Sequence, residues 1–130
     1  MSLQTVTRAA ESDLEPMEIY NVLAEVSNLP KWAPTFADSI EPTDKTHFRV
    51  TKNSDSFNME LFLHPTALAV DYIREMADNR RGGAYIRVTP RPLGGSTVII
   101  TVPIAPTTNE AEVAKVLERE LAEIIRLAQS

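Results

Sequence analysis

The feature that most constrains the fold is the stretch of residues 36–104, in which apolar side chains recur at every second position. A period of two is typical of strands that bury one face. Turn-forming residues divide the stretch into six predicted strands: Phe36–Glu41, Thr46–Lys52, Ser56–His64, Thr66–Met76, Arg81–Arg91 and Ser96–Ile104. Because the connections between them are short, we expect neighbouring strands to pair antiparallel as a meander.

The segment before the meander predicts one strand and two short helices. The strand covers residues 3–10, and the polar residues 11–13 end it. Pro16 suits the first turn of the following helix, since its missing N–H would have no partner there. A second, short helix is predicted within residues 27–34, with Pro34 as its stop. The first helix should bury one stripe of apolar residues: Ile19, Val22, Leu23 and Val26.

A long amphipathic helix is predicted after Pro106. Its first turn can be capped by Thr107 with Glu110, or by Asn109 with Glu112. At about 1.5 Å per residue, roughly 20 residues extend about 30 Å, which is enough to cross the whole sheet. One side of this helix carries the apolar residues Val113, Val116, Leu117, Leu121, Ile124 and Leu127.

Length and composition exclude several classes of function. The 130 residues suffice for a single domain, residues 1–130, and not for two independent cores. The formal net charge of -5 argues against a nucleic-acid partner, because phosphate binding needs clustered Lys and Arg. The chain has no cysteine, which excludes disulfides, thiolate catalysis and cysteine-ligated metals. No apolar run approaches the roughly 18 residues of a membrane span, so we expect no integral membrane association and favour a cytoplasmic protein.

The order of these elements resembles the START-like superfamily, also called Bet v 1-like, SRPBCC or polyketide cyclase/dehydrase-like. Residues 15–34 look like that family's helix-turn-helix, in which a proline-initiated helix ends in an acidic turn and a tryptophan, here Trp32, closes the second helix. The resemblance implies an α+β helix-grip fold: a curved antiparallel sheet of about seven strands, two short N-terminal helices and a long C-terminal helix. Members bind sterols, lipids, polyketides, plant hormones or quinones, and some cyclise aromatic polyketides.

The inward-facing residues of the predicted sheet are the candidate wall of a ligand cavity. The curvature that the resemblance implies leaves a gap beside the long helix unless bulky side chains fill it, and aromatic residues make up only 6% of the chain. The alternative is an ordinary closed core made of the same residues. The predicted ligand contacts are Trp32, Phe48, Phe57, Met59, Tyr72, Arg74, Ile100, Leu117 and Leu121.

Polar and aromatic residues near this face are the most informative. Arg74 shares the face of Tyr72 and is the leading polar anchor, since a buried guanidinium needs an anionic partner such as a ligand carboxylate, phenolate or enolate. Alternatively, Arg74 reaches solvent from the strand end. Tyr72 could donate a hydrogen bond to a ligand carbonyl or to the backbone. Trp32 and Phe36 could form a lid, or Trp32 could pack the helix pair onto the sheet; Tyr20 is expected at the surface.

The other ionisable residues offer no catalytic site. His47 and His64 should face outward, and the spacing contains no metal-binding cluster, so we expect neither a metal nor a cofactor. A cross-strand charge ladder is predicted on that outer face, formed by Asp71, Glu75, Arg87 and Arg91.

Three functions fit this interpretation. The favoured one is non-enzymatic binding of a hydrophobic or amphipathic small molecule, such as a lipid, polyketide or quinone, by a monomer or homodimer. The second is an aromatase/cyclase- or dehydratase-type enzyme acting on a polyketide-like substrate, which would need an acid and a base inside the cavity. The third is a protein-interaction module with a collapsed cavity, which an apolar patch outside a filled core would favour.

Overall fold

The computed structural model describes residues 4–130, so residue 3 of the first predicted strand lies outside the described residues. Strands and helices follow one another in the predicted order. They are β1 (Gln4–Ser12), α1 (Pro16–Ala24), α2 (Leu29–Trp32), β2 (Ser39–Pro42), β3 (His47–Lys52), β4 (Asp55–His64), β5 (Ala69–Glu75), β6 (Arg81–Pro90), β7 (Ser96–Ile104) and α3 (Glu110–Ala128). Short 3₁₀ turns lie at Val26–Asn28 and Ala77–Asn79.

The strands of residues 4–130 form one curved antiparallel sheet in the order β1-β7-β6-β5-β4-β3-β2. Strands β2 to β7 are a meander of sequence neighbours. The chain's first strand, β1, pairs with its last, β7, so that Gln4 lies opposite Ile104. The predicted α+β helix-grip architecture is therefore confirmed.

Three strand boundaries differ from the prediction by two residues or more. β1 continues to Ser12, because this residue still pairs with Ser96 of β7. β2 starts later than predicted, since the N–H groups of residues 36 and 37 donate to the carbonyl of Ala33 and continue the turn after α2. β5 also starts later, because Leu68 has a φ of 56°, which lies outside the strand region.

The first helix, α1, buries three residues: Ile19, Tyr20 and Leu23. Ile19 and Leu23 are buried as predicted, whereas Val22 is half-buried and Val26 lies beyond the end of α1. The expectation that Tyr20 lies at the surface is wrong, since this residue is only 5% exposed. The reason is that α1 packs both on β5 and β6 and on α3, which covers more than one stripe of the helix.

The long helix α3 begins after Asn109, whose side chain accepts a hydrogen bond of 3.1 Å from the backbone N–H of Glu112. The cap is thus the second of the two predicted. α3 packs against β1, β7, α1 and α2, and it buries Leu117, Leu121 and Ile124. Among residues 4–130, no helix has the length and apolar character needed to cross a membrane.

The core lies on the concave face of the sheet, because alternate residues of each strand point toward the helices. The fully buried strand residues include Val50, Met59, Val70, Ile86, Val98 and Ile100. Two residues predicted to face inward, Leu63 and Met76, are 45% and 46% exposed. They lie at the end of β4 and just after β5, where the helices no longer cover the sheet.

Candidate functional site

A cavity of about 520 Å³ lies between one end of the sheet and the first half of α3. The last residues of β5 and β7 and the first residues of β6 form its floor, and α2 closes one side. Residues on α3 form the roof, among them Val113, Val116, Leu117 and Glu120. The space between the sheet and α3 is therefore open at this end of the sheet.

The cavity exists because β6 carries small residues opposite large ones of β5. Ala84 lies opposite Tyr72, and Gly82 lies opposite Arg74. On the neighbouring residue, Gly83, a Cβ atom would lie 2.7 Å from the Tyr72 carbonyl oxygen, so no larger residue fits there without a shift of the backbone. The small side chain of Ala84 thus leaves cavity space that a Val or Ile at this position would fill.

Aromatic rings form the side of the cavity next to α2. The Trp32 ring meets that of Tyr72 edge to face, with centroids 5.5 Å apart, and both residues line the cavity. Phe36 also lines it and packs on Phe57 in the same way at 5.1 Å. Trp32 is only 3% exposed, so it packs the helix pair onto the sheet while its ring remains part of the wall.

The Tyr72 hydroxyl already has a partner. It donates a buried hydrogen bond of 2.7 Å to the backbone carbonyl of Leu23, at the end of α1. Burial raises the pKa of Tyr72 above its ordinary range, so the hydroxyl keeps its proton. Of the two roles considered for Tyr72, the structure contains the bond to the backbone, and the ring is what faces the cavity.

Arg74 lies at the outer part of the same wall. Arg74 is exposed, and its guanidinium carbon lies 4.1 Å from the centre of the Phe57 ring, which is a cation–π contact. Among residues 4–130, no carboxylate lies within ion-pair distance of Arg74. The guanidinium therefore reaches solvent, as the alternative interpretation expected, and Arg74 also lines the cavity.

Glu120 is a cavity residue that the sequence interpretation did not consider. It is half-buried on the roof formed by α3, and burial raises the pKa of its carboxyl to about 7, which Arg119 on the same helix opposes only in part. The signal was in the sequence, because Glu120 follows Leu117 by three residues and precedes Ile124 by four. This spacing places an acid on the apolar face of the helix.

The nine predicted ligand contacts fall into two groups. Trp32, Tyr72, Arg74 and Leu117 line the cavity. The other five are in the hydrophobic core and are absent from the cavity wall: Phe48, Phe57, Met59, Ile100 and Leu121. Apart from Trp32, which lies on α2, these residues were placed by strand alternation or by the spacing on α3. Neither pattern distinguishes filled space from open space.

The histidines lie on the outer face of the sheet, away from the cavity. His47 contacts Asp44 at 3.0 Å, which raises the pKa of the imidazole. His64 contacts Asp71 at 3.3 Å. No group of three or more potential metal ligands occurs among residues 4–130.

The predicted charge ladder on this outer face is wrong. Asp71 pairs with His64 and lies opposite Tyr85, not opposite an arginine. The strand register places Arg87 opposite Ala69. The outer-face ion pair of this region instead joins Arg81 to Glu60 at 2.8 Å.

Comparison with solved structures identifies the fold. A START superfamily protein from Mycobacterium smegmatis is similar with a TM-score of 0.66 and 13% identity, over 96% of this chain and 93% of that one. Ara h 8.0201 is similar with a TM-score of 0.70 and 14% identity, over 98% and 99% of the two chains. The Zhui aromatase/cyclase from a Streptomyces species is similar with a TM-score of 0.66 and 12% identity, over 98% and 94%.

Identities this low show a shared fold and nothing finer. The chain shares its helix-grip fold with these proteins, one of which is a START superfamily protein, and this is the fold that the resemblance predicted. No protein-family model and no curated protein matches the sequence.

Proposed function

We propose that the protein binds a hydrophobic or amphipathic small molecule in the cavity beneath the first half of α3. The observation that carries this proposal is the cavity itself, about 520 Å³ of space with an apolar wall and few polar groups. Cavities of roughly 300 to 1,000 Å³ with this kind of lining are typical of small-molecule sites. The fold supports the same proposal, because it is shared with a START superfamily protein. A cytoplasmic location and a monomeric or homodimeric state stay predictions.

Arg74 is the proposed anchor for the polar end of the ligand. Its guanidinium stacks on Phe57 at the cavity wall and has no carboxylate partner among residues 4–130. A planar guanidinium can donate two parallel hydrogen bonds to a carboxylate or to a phenolate oxygen and its neighbour. The proposed ligand therefore has an apolar body within the cavity and an acidic or carbonyl group near Arg74.

The test is a thermal-shift panel of a fatty acid, a sterol, a quinone and a polyphenol. A ligand present at 100 times its Kd adds about 2.7 kcal/mol to the stability of the folded state, which raises Tm by several degrees. We expect at least one compound to produce this shift, and native mass spectrometry of freshly purified protein should then detect a co-purifying molecule of the same class. If none of the four classes shifts Tm, ligand binding is contradicted.

Matched arginine variants test the anchor with the same assay. Arg74→Met should raise the Kd of dodecanoic acid roughly tenfold and leave that of dodecanol nearly unchanged, because only the acid offers a charged acceptor. Arg87→Met is the control, since Arg87 is exposed on the outer face of the sheet. Equal losses for acid and alcohol would remove Arg74 from the role of anchor.

Glu120 favours one second candidate, an enzyme of the aromatase/cyclase type. A carboxyl with a pKa of about 7 in an apolar cavity suits proton transfer, and Arg74 could stabilise an enolate formed there. In that reaction the Glu120 carboxylate would take a proton from the carbon between two ketone groups and return it to another atom. Deuterium exchange of a β-diketone, followed by NMR, distinguishes the candidates: an enzyme accelerates the exchange and Glu120→Gln abolishes the acceleration, whereas a binding protein does not change the exchange rate.

A further inference from the structure

Glu120 occupies a position where a helix of this kind ordinarily carries an apolar residue. Its neighbours on the same face, Val116, Leu117, Leu121 and Ile124, are all buried or half-buried apolar residues. A carboxyl at such a position loses water and disfavours its charged form unless another group replaces the lost hydrogen bonds. The position therefore costs stability in the absence of a partner.

The described residues supply no such partner. The titratable groups that share the cavity wall with Glu120 are Tyr72 and Arg74 on β5 and Glu112 on α3. The Tyr72 hydroxyl donates to the Leu23 carbonyl instead. The Arg74 guanidinium contacts the Phe57 ring of β4 instead, and Glu112 carries the same charge sign as Glu120. Within residues 4–130, no hydrogen bond or ion pair reaches the Glu120 carboxyl.

We propose that the natural ligand is an amphipathic acid that also carries a hydroxyl group on its apolar body. The Glu120 carboxyl accepts the hydrogen bond of that hydroxyl while Arg74 holds the acidic end. An ionised carboxyl only accepts hydrogen bonds, and such a bond is strengthened in a cavity with a low local dielectric constant. This inference rests on the proposed ligand binding and names the chemical class that the two polar residues select.

The test compares two series of acids that differ only in one hydroxyl. Unsubstituted fatty acids of 8, 10 and 12 carbons and their ω-hydroxy counterparts are titrated by calorimetry at pH 8. In a purely apolar cavity the hydroxyl weakens binding roughly tenfold, because it loses water without gaining a partner. We expect the protein to bind at least one ω-hydroxy acid as tightly as its unsubstituted counterpart, or more tightly.

Three variants of α3 assign the effect to Glu120. Glu120→Leu should restore a preference of roughly tenfold for the unsubstituted acid. Glu120→Gln keeps an accepting oxygen and should retain most of the preference for the hydroxyl, which separates hydrogen bonding from a general change in the cavity. Glu118→Leu is the control, because Glu118 is exposed on the same helix and pairs with Arg8 at 3.2 Å. It should behave as the unmodified protein does.

The two levels of the proposal fail differently. If the unsubstituted acids bind and Glu120→Leu leaves the ratio of the two affinities unchanged at every chain length, this inference is overturned and ligand binding stands. If no acid of either series binds, the inference is overturned as well. The sterol and the quinone of the thermal-shift panel then decide whether the proposal of ligand binding fails too.

Discussion

The space between the sheet and α3 has two halves that differ in how it is filled. In the filled half, under the second half of α3, fully buried side chains of Ile86, Ile100, Leu121 and Ile124 belong to one packed core. In the open half, under the first half of α3, half-buried residues such as Val102 and Val116 surround the cavity. The same three elements, β6, β7 and α3, contribute to both halves.

The difference between the halves lies in side-chain volume and polarity, and not in periodicity. Along β6 the inward positions read Gly82 and Ala84 in the open half, then Ile86 and Val88 in the filled half. On α3, the acidic residue Glu120 lies on the apolar face at the point where the helix meets the cavity. A fold of this kind therefore determines which residues face inward, while residue size determines whether the space between them closes.

The largest expected difference between the halves comes from deleting side-chain atoms. Ile100→Ala should lower the free energy of unfolding by about 2 to 5 kcal/mol, because it leaves a void in a packed core. Val102→Ala, two residues along β7, should cost about 1 kcal/mol or less, since its side chain borders space that is already open. Urea denaturation of both variants measures the difference. Equal losses would mean that the cavity closes around Val102 in solution.

The fold could be predicted from the sequence much further than the site could. The alternation of residues 36–104 and the helical spacing after residue 109 are set by local geometry, and both were confirmed. The predicted strand ends were wrong where local hydrogen bonds set the boundary, as at Ala33, and where an unusual φ set it, as at Leu68. The burial of Tyr20 could not be predicted, because it depends on how α1 lies between the sheet and α3.

The residues of the site could likewise be predicted only in part. Four predicted contacts line the cavity: Trp32, Tyr72, Arg74 and Leu117. For the strand residues among them, the sequence predicted correctly which side chains point toward the helices. Predicted contacts such as Met59 lie in the core, because periodicity carries no information about empty space. Glu120 could have been found, since an acid on an apolar helix face is visible in the sequence, but its burial could not be predicted without the fold.

The titration of Glu120 should produce a change in stability of intermediate size, and it tests whether the open half contains a buried acid. Its pKa in the folded protein, about 7, lies above the ordinary value of 4.5, so the folded state binds the proton more tightly than the unfolded chain does. The resulting contribution to stability is fully present below pH 4.5 and is lost as the pH rises through 7. Without ligand, Glu120→Gln should therefore match the unmodified protein at pH 5 and exceed its stability by on the order of 2 kcal/mol at pH 8.

Urea denaturation of the ligand-free proteins at both pH values measures this effect. Groups outside the cavity whose pKa is shifted, such as Asp38, Asp44 and His47, are the same in both proteins, so their contributions cancel in the difference. Glu118→Gln is the control, because Glu118 is exposed on the same helix. The opposite outcome is a stability difference between Glu120→Gln and the unmodified protein that stays constant from pH 5 to pH 8. It would show that the Glu120 carboxyl is well solvated and is not a buried acid of the cavity.

The smallest expected effect on stability comes from adding atoms at the cavity wall, and it is compared with the same addition at a packed position outside that wall. Ala84→Leu places a larger side chain at the cavity wall opposite Tyr72, where space exists, so stability should change by about 1 kcal/mol or less. Ala114→Leu introduces the same change at a buried position of α3 outside the cavity wall, and overpacking there should cost about 1 to 3 kcal/mol. For ligand binding, we expect Ala84→Leu to have the larger effect of the two. Ala84→Leu should abolish the thermal shift caused by a ligand, and Ala114→Leu should retain it. If Ala84→Leu is stable and binds every ligand of the panel with unchanged affinity, the ligand lies elsewhere, because the leucine occupies part of the volume that the ligand is proposed to fill.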